Sequence, residues 1–526
     1  MVIGNIERLS DATKLSAHVT RILGQNPGLM TLQGTNSYLL QPPSNPHAPL
    51  ILIDTSSPHT ANQYVDLLLV HLHHLGLESG TRETHFESNV AKASLSNLPE
   101  DQVDQVKASL VAERAENGRA DELMLVEYGP GSKWTATYHV TANGSTNSSE
   151  RKLPNIEHII LTHRHLDHVG ALPTLLRALK SHGCPPPKLW KFPSPDEAEL
   201  CASERDRPTS DAEIWQSLPA GTYQSFSPLQ PFHPIIPGLM ISIIDPVYRH
   251  LLKHDKDGKP KWNEVPEIAR VSVRCLRTPG HTQDSVSLVM LEGEKGVFTG
   301  DTVLGQGTTT FLDLASYMTS LRTLLALKPN VLYPAHGPHI PNAKESRAHL
   351  EEYITHRQIR EDQIVNILQK LSARTTSDGN PNNLTSILID LKRAIHAQAE
   401  ADNAAKAPLM VDRRKAIPMP DFEDEKASLE RAEKEGTRPQ AAVPMSVLCR
   451  LLYKSEDERL IFAASKSVGA HLVKLEKEDK ARRGRARWAD LAGKEVGELV
   501  EVETWEYVGP PEQAEAEAKE TKEKKD

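Results

Sequence analysis

The chain is predicted to adopt an α+β fold, and three observations carry that prediction. Short apolar runs that read as strands recur up to about residue 345, separated by Gly, Pro and polar loops. Beyond that point the apolar residues take helical spacing and are followed by one alternating, strand-like run. A chain of 526 residues that is 38% hydrophobic can bury a large core and is long enough for two domains.

From the N-terminal end, Asn26-Pro27-Gly28 reads as a turn, and a strand runs through Tyr38-Leu39-Leu40. A Pro-rich loop follows, then a second strand, Leu50-Ile51-Leu52-Ile53, so that the two form a hairpin. The second strand closes on Asp54, which reads either as a strand-end cap or as a support for a nearby polar site. His71, His73 and His74 fall on a helix after it; lacking a matching partner downstream, they read as exposed. Residues 78–155 are polar, with a helical pattern at Val103, Val106, Leu110 and Val111 and a strand at Leu123, Leu125 and Val126. They read as an insertion, as does the Pro-rich stretch 194–265. His250 and His254 lie in that second stretch four residues apart, in a polar neighbourhood, and read as surface.

The chemistry begins at Ile159-Ile160-Leu161, a buried strand that delivers Thr162-His163-Arg164-His165-Leu166-Asp167-His168-Val169-Gly170 at its end. His163 and His165 are two apart, so their side chains share one side of an extended segment. Asp167 and His168 follow at a spacing that can face a second ion. Neutral imidazole and carboxylate suit zinc and similar divalent cations. Gly170 permits a sharp turn into an apolar-periodic helix, Ala171 to Leu179. A histidine-rich surface loop would explain this cluster alone, but the device recurs. His281 follows the strand Val271 to Leu276, Asp301 ends the run Val297-Phe298-Thr299-Gly300, and His336 follows Val331-Leu332-Tyr333-Pro334-Ala335.

This ordered set, His-x-His-x-Asp-His, Gly-His, Gly-Asp-Thr and Ala-His-Gly, resembles the ligand series of the metallo-beta-lactamase superfamily. The resemblance implies a four-layer αβ/βα sandwich over residues 20–345 with the site at the sheet edges. It also implies that His163, His165 and His281 hold one Zn2+ or other divalent ion, that Asp167, His168 and His336 hold a second, and that Asp301 bridges them. Two such ions ~3.5–4 Å apart can share a water and lower its pKa from ~15.7 to about 7, giving a bridging hydroxide as nucleophile. Asp167 would then orient that nucleophile and move a proton to the leaving group, as the catalytic residue. Some drug-hydrolysing relatives have a cysteine at the position of Asp301; the oxygen ligand favours the branches that cut thioesters or phosphodiesters. The wording Asn-Pro-Gly…Leu-Gln-Gly-Thr-Asn-x-Tyr (residues 26–38) is similar to the beta-lactamase-like-2 group, which includes single-strand RNA endonucleases and acyl-carrier thioesterases of polyketide pathways. The chain departs from the family pattern at Ser56 and Ala171, where glycine is frequent; neither departure removes a ligand.

After His336, Leu350 to Leu371 reads as a helix, Ile387 to Ile395 as a second and Ala464 to Leu475 as a third, and Val500, Val502 and Thr504 alternate as a strand. Helices followed by a strand resemble the small winged-helix domain that ends the beta-lactamase-like-2 group. It is expected over residues 346–510, interrupted by a charged linker near 397–440 and followed by a disordered charged tail, 511–526. Lys480, Arg482, Arg483, Arg485 and Arg487, with Trp488, form a basic cluster near the wing. It could grip phosphates and stack a base, or form a solvated turn balanced by Glu476, Glu478 and Asp479, and the second reading is the better one.

Composition bounds the partners. The formal net charge is -9, so no global field attracts nucleic acid or an anionic membrane. Cys184, Cys201, Cys275 and Cys449 are scattered, which suits ordinary buried thiols in a reducing compartment. No apolar run reaches membrane-span length and the first residues make a poor secretory signal, so a cytoplasmic location is the expectation. Three functions stay open: a hydrolase of an acyl thioester or related ester, carrier-bound or small, as in secondary metabolism; a single-strand RNA endonuclease using the same metals; and a non-catalytic binding module. The acidic balance and the small basic patch put the thioester first.

Overall fold

The computed structural model describes residues 9–28, 30–75, 82–86, 123–129, 133–140, 153–194, 209–258, 260–372, 442–453, 458–489 and 499–508. The helical pattern at 103–111, the helix expected over 387–395, the linker near 397–440, Cys201 and the tail 511–526 lie outside these residues. The chain divides into two compact units, Met1–Thr309 with Ser316–Tyr353, and Thr310–Ala315 with Ile354–Asp526.

The first unit is built on two sheets. The larger contains β1 (Ala12–Lys14), β2 (Val19–Leu23), β3 (Asn36–Leu40), β4 (Leu50–Ile53), β8 (Ile156–Leu161), β9 (Lys188–Lys191) and β10 (His233–Pro234), neighbours in that order. The hairpin expected from the sequence is β3 against β4, with Leu39 opposite Leu52. β4 then pairs in parallel with β8, and β8 with β9. Alternation assigns the side chains to two cores. Leu50, Leu52, Ile159 and Leu161 face one core, with helices α1 (Ala61–Leu75) and α3 (Leu172–Ser181). Ile51, Ile53 and Ile160 face the other, against the second sheet. Both faces of these strands are covered, which is why they read as unbroken apolar runs.

The second sheet orders β11 (Met240–Ile244), β12 (Arg270–Arg277), β13 (Val286–Met290), β14 (Val297–Gly300) and β15 (Leu332–Pro334). Helix α5 (Leu314–Ala326) lies over the end of β12, where Ser320 donates to the Pro279 carbonyl at 2.7 Å and Tyr317 backs Gly280. β5 (Arg82–Phe86), β6 (Leu123–Gly129) and β7 (Lys133–Val140) form a separate three-stranded sheet within the 78–155 stretch.

The structure corrects several sequence expectations. The stretch 194–265 is only partly an excursion: it holds β10, the capped helix α4 (Asp211–Ser217) and β11, an edge strand of the second sheet. His71 is buried, because α1 turns the stripe containing Tyr64, Leu68 and Leu72 inward and His71 adjoins it; the side chains of His73 and His74 are outside the described residues. His250 and His254 are exposed, as expected. Gly170 has an ordinary right-handed φ of -69° after a four-residue helix, α2 (Leu166–Val169), so its role is closeness and not turning. A Cβ there would lie 2.6 Å from Pro58 N and collide with the proline ring and the Leu166 carbonyl. Gly170→Ala is therefore expected to destabilise the fold by roughly 1–3 kcal/mol through overpacking, read from urea denaturation. An unchanged midpoint would mean that Pro58 does not wall this position.

In the second unit, the last part of α6 (Ala343–Ser372), with α7 (Met445–Tyr453) and α8 (Glu458–Lys477), packs on a sheet of β16 (Val443–Pro444), β18 (Leu499–Tyr507) and β17 (Ala481–Ala489). Its core is Ile364, Leu368, Leu448, Val468, Leu472 and Trp505. Helix α7 was not foreseen, and α6 begins seven residues before Leu350. Apart from Lys480, just before it, the basic cluster lies on β17, the first strand of a long hairpin with β18. Arg482 meets Glu506 at 3.3 Å, Arg483 meets Glu476 at 2.9 Å and stacks over Trp505, and Lys480 meets Glu478 at 3.2 Å. The balanced, solvated reading holds for these residues; the side chains of Arg487 and Trp488 are outside those described. Cys184 is half-buried, Cys275 and Cys449 are buried, and all three are unbridged. No helix among the described residues is long and apolar enough to cross a membrane.

Candidate metal centre

Four strand ends supply the site. β8 releases the chain into the His163-to-His168 turn, β12 into the His281 loop, β14 into Asp301 and β15 into His336. Glycines at positive φ follow the sheet out at three of these ends: Gly280 at 136°, Gly300 at 51° and Gly337 at 81°. At Gly280 a side chain would strike the Tyr317 backbone.

The seven side chains singled out in the sequence converge. The ligand atoms of His163, His165, His281 and Asp301 lie within 4.8 Å of one another, and so do those of Asp167, His168 and His336. Asp301 turns one oxygen toward each trio. Its Oδ2 is 3.4 Å from His281 Nε2 and 3.9 Å from His163 Nε2, and its Oδ1 is 3.5 Å from His168 Nε2 and 3.3 Å from His336 Nε2. Asp167 Oδ2 is 3.3 Å from His168 Nε2 and 3.2 Å from His336 Nε2.

Outward partners set the ring orientations. His168 Nδ1 donates to Asp54 Oδ2 at 2.9 Å, His163 Nδ1 to Thr162 Oγ1 at 3.0 Å, His281 Nδ1 to Thr309 Oγ1 at 3.2 Å and His336 Nδ1 to the Gly34 carbonyl at 3.3 Å. Each of these bonds turns Nε2 inward, so that the ring presents a lone pair there when it is neutral, the arrangement a ligating imidazole needs. His165 is reversed and offers Nδ1, 3.0 Å from both His163 Nε2 and His281 Nε2. Asp54 resolves its two readings by doing both things: it ends β4 and also accepts from Thr162 N at 2.7 Å and Thr162 Oγ1 at 2.8 Å. The 26–38 segment clamps the His336 turn, since Asn36 Nδ2 donates to the Pro334 and Gly337 carbonyls and Tyr38 donates to Pro334. Behind the site, buried Arg164 faces Asp284, which pairs with Lys191 at 2.6 Å. Thr162 and Asn36 lie within the quoted motifs without a role that their residue type announces, and Thr309 lies outside them.

Three inward nitrogens around His165 cannot all satisfy one another, because neutral rings so placed point lone pairs at lone pairs. His168 Nε2 and Asp301 Oδ1 are buried, 3.5 Å apart and outside hydrogen-bond geometry. This donor set fits divalent cations of the zinc type. Burial, reinforced by neighbouring histidines, pushes His163 well below the usual imidazole range and His165 down to about 4, so both rings are neutral at physiological pH, as ligation requires. Burial opposes charge on His168 and His336 too, but the carboxylates of Asp167 and Asp301 outweigh it, lifting His168 well above its ordinary value and His336 to about 9. Both rings are then protonated near pH 7 without metal and must be neutral to ligate. Cation uptake near neutral pH is expected to release protons, and affinity to rise with pH up to about 9. Calorimetric titration in buffers of different ionisation enthalpy measures this; uptake without proton release would contradict the assignment.

The chain is similar to several known proteins. The metallo-beta-lactamase superfamily model matches residues 103–336, and the beta-lactamase associated winged helix domain matches residues 446–488. A Caenorhabditis elegans beta-lactamase-like protein 2 homolog is 27% identical over 379 residues, 71% of this chain and 76% of the relative. The Drosophila melanogaster homolog of the same name is 28% identical, over 67% of this chain and 74% of the relative. An atrochrysone carboxyl ACP thioesterase of Aspergillus fumigatus is 26% identical over 410 residues, 78% of this chain and 83% of the relative.

Proposed function

Starting from a chain that carries a metallo-beta-lactamase superfamily domain followed by its associated winged helix, we propose that it is a binuclear metal-dependent hydrolase of acyl thioesters or related esters. The observation that carries this reading is the convergence of seven donor side chains, with Asp301 turned to both groups. His163, His165 and His281 on one side, Asp167, His168 and His336 on the other, and Asp301 between them would hold two Zn2+ or similar ions, which supply an acidified water and polarise the oxygen under attack. Asp167 is the more open carboxylate, 24% exposed against 11% for Asp301. Burial alone would raise its pKa; the His168 charge and contacts to His168 and His336 hold it well below the usual carboxylate range. It is therefore a partly exposed anion, placed to orient water and relay its proton to the leaving group.

Three features favour an acyl over a phosphodiester substrate. One relative of similar length is named as an acyl-carrier thioesterase. The net charge is -9. Arg482 and Arg483 of β17 are paired with Glu506 and with Glu476 and Glu503, which reduces the positive charge these two offer to phosphates. The test is a side-by-side assay of the metal-loaded chain on an acyl-carrier and acyl-coenzyme thioester panel and on single-strand RNA. Thioester turnover is expected, falling on the order of 10²–10⁴-fold in Asp167→Ala. RNA cleavage without thioester turnover, weakened by charge reversal at Arg482 and Arg483, would replace the proposal with the endonuclease; a binding module would turn over neither.

A further inference from the structure

The loop that follows Asp301 does more than present that carboxylate. Residues 301–309 run from Asp301 to Thr309, and the loop ends by placing Thr309 Oγ1 3.2 Å from His281 Nδ1. Thr309 and His281 are both buried. His281 Nε2 faces the centre, 3.0 Å from His165 Nδ1 and 3.4 Å from Asp301 Oδ2. The proton of His281 therefore belongs on Nδ1, and the threonine hydroxyl accepts it.

The loop is in turn pinned from helix α6. Tyr353 OH accepts from Leu304 N at 3.1 Å and donates to the Gly307 carbonyl at 3.0 Å, and His349 Nε2 donates to the Leu304 carbonyl at 2.7 Å. Gly305 N donates to the His336 carbonyl at 2.7 Å, so the same loop also touches the backbone of a residue in the second trio. A side chain at Gly305 would run into Pro338, which leaves the loop one way to lie.

We propose that Thr309 and Tyr353 are positioning residues of the metal centre: Tyr353 fixes the course of the 301–309 loop, and Thr309 uses that course to orient the His281 ring. The inference rests on the metal-centre reading above. A hydroxyl at the outer nitrogen of a ligating histidine fixes ring orientation and tautomer, and losing such a partner costs ~10–100-fold in metal affinity. Thr309→Val keeps the shape and removes the acceptor; Thr309→Ser keeps the acceptor. Tyr353→Phe removes the hub hydroxyl two steps away.

The experiment is equilibrium Co2+ titration of the full chain against a competing chelator, with the visible spectrum of the cobalt protein and the urea midpoint of the metal-free protein recorded alongside. Thr309→Val is expected to weaken one of two Co2+ equivalents by ~10–100-fold and to change its ligand-field bands, with Thr309→Ser near wild type. Tyr353→Phe is expected to shift the same equivalent in the same direction by a smaller factor. Wild-type affinity and spectrum in Thr309→Val would overturn the inference while leaving the hydrolase intact. A Thr309→Ser protein as impaired as Thr309→Val would also overturn it, since packing and not the hydroxyl would then be responsible. Wild-type protein that takes up no Co2+ would instead overturn the metal-centre reading itself.

Discussion

Asp301→Ala is expected to reduce metal-dependent hydrolysis by on the order of 10³-fold or more and to leave fewer than two ions per chain. Asp301 has an oxygen within 4 Å of an inward nitrogen of His163, His168, His281 and His336, so its carboxylate addresses both trios. Polarisation by a metal pair contributes several kcal/mol to the transition state, and each ~1.4 kcal/mol is tenfold in rate. The carboxylate also restrains charge: burial opposes its ionisation, yet His336 and His168 hold it well below the usual range, so its loss leaves their positive charges less compensated. Elemental analysis with a thioester assay reads both effects. Two tightly held ions and undiminished turnover in the variant would remove Asp301 from the centre.

Asp54→Ala is expected to combine the largest loss of stability with loss of metal. Asp54 is buried and touches no inward ligand atom, yet it controls a histidine of each trio. It accepts directly from His168 and, through the hydroxyl of Thr162, indirectly from His163. Truncation strands the Thr162 amide and the His168 Nδ1–H, at about 1–3 kcal/mol for each buried donor left without a partner. Its backbone sits at φ 57°, a conformation that Asp and Asn tolerate better than Ala, which adds to the cost. Asp54→Asn keeps that backbone preference and one acceptor oxygen, and is expected to be milder in stability than in metal affinity. Urea denaturation of metal-free protein alongside metal titration separates the two; a variant unchanged in both would make Asp54 a bystander.

The convergence of donor side chains was legible because each of them is local to a strand end. A run such as Ile159-Ile160-Leu161 declares a buried strand, and a side chain two residues past its end has little freedom in where it points. Four such runs in order carried the convergence that the fold displays. What could not be read depends on contacts between segments far apart in the chain. Asn36 meets the Pro334 turn, and Thr309 meets His281, and neither residue type announces such a partner. The sequence places Gly170 at a turn, whereas it is required by Pro58, over a hundred positions earlier. Polarity misled at His71, because the apolar stripe of α1 is wide enough to carry a histidine inward. β11 was hidden among Pro-rich loops, five residues that gain strand character only from pairing with β12. In the second unit, the alternation of Val500, Val502 and Thr504 was enough to find β18, while the nine-residue helix α7, directly after Pro444, was not seen.

The most direct test is a zinc titration of the metal-stripped chain followed by thioester hydrolysis at each step. Two equivalents are expected to bind, with turnover appearing as the pair is completed and lost again on chelation. Saturation at one equivalent or none, or turnover that survives complete removal of metal, would contradict a centre built from His163, His165, Asp167, His168, His281, Asp301 and His336.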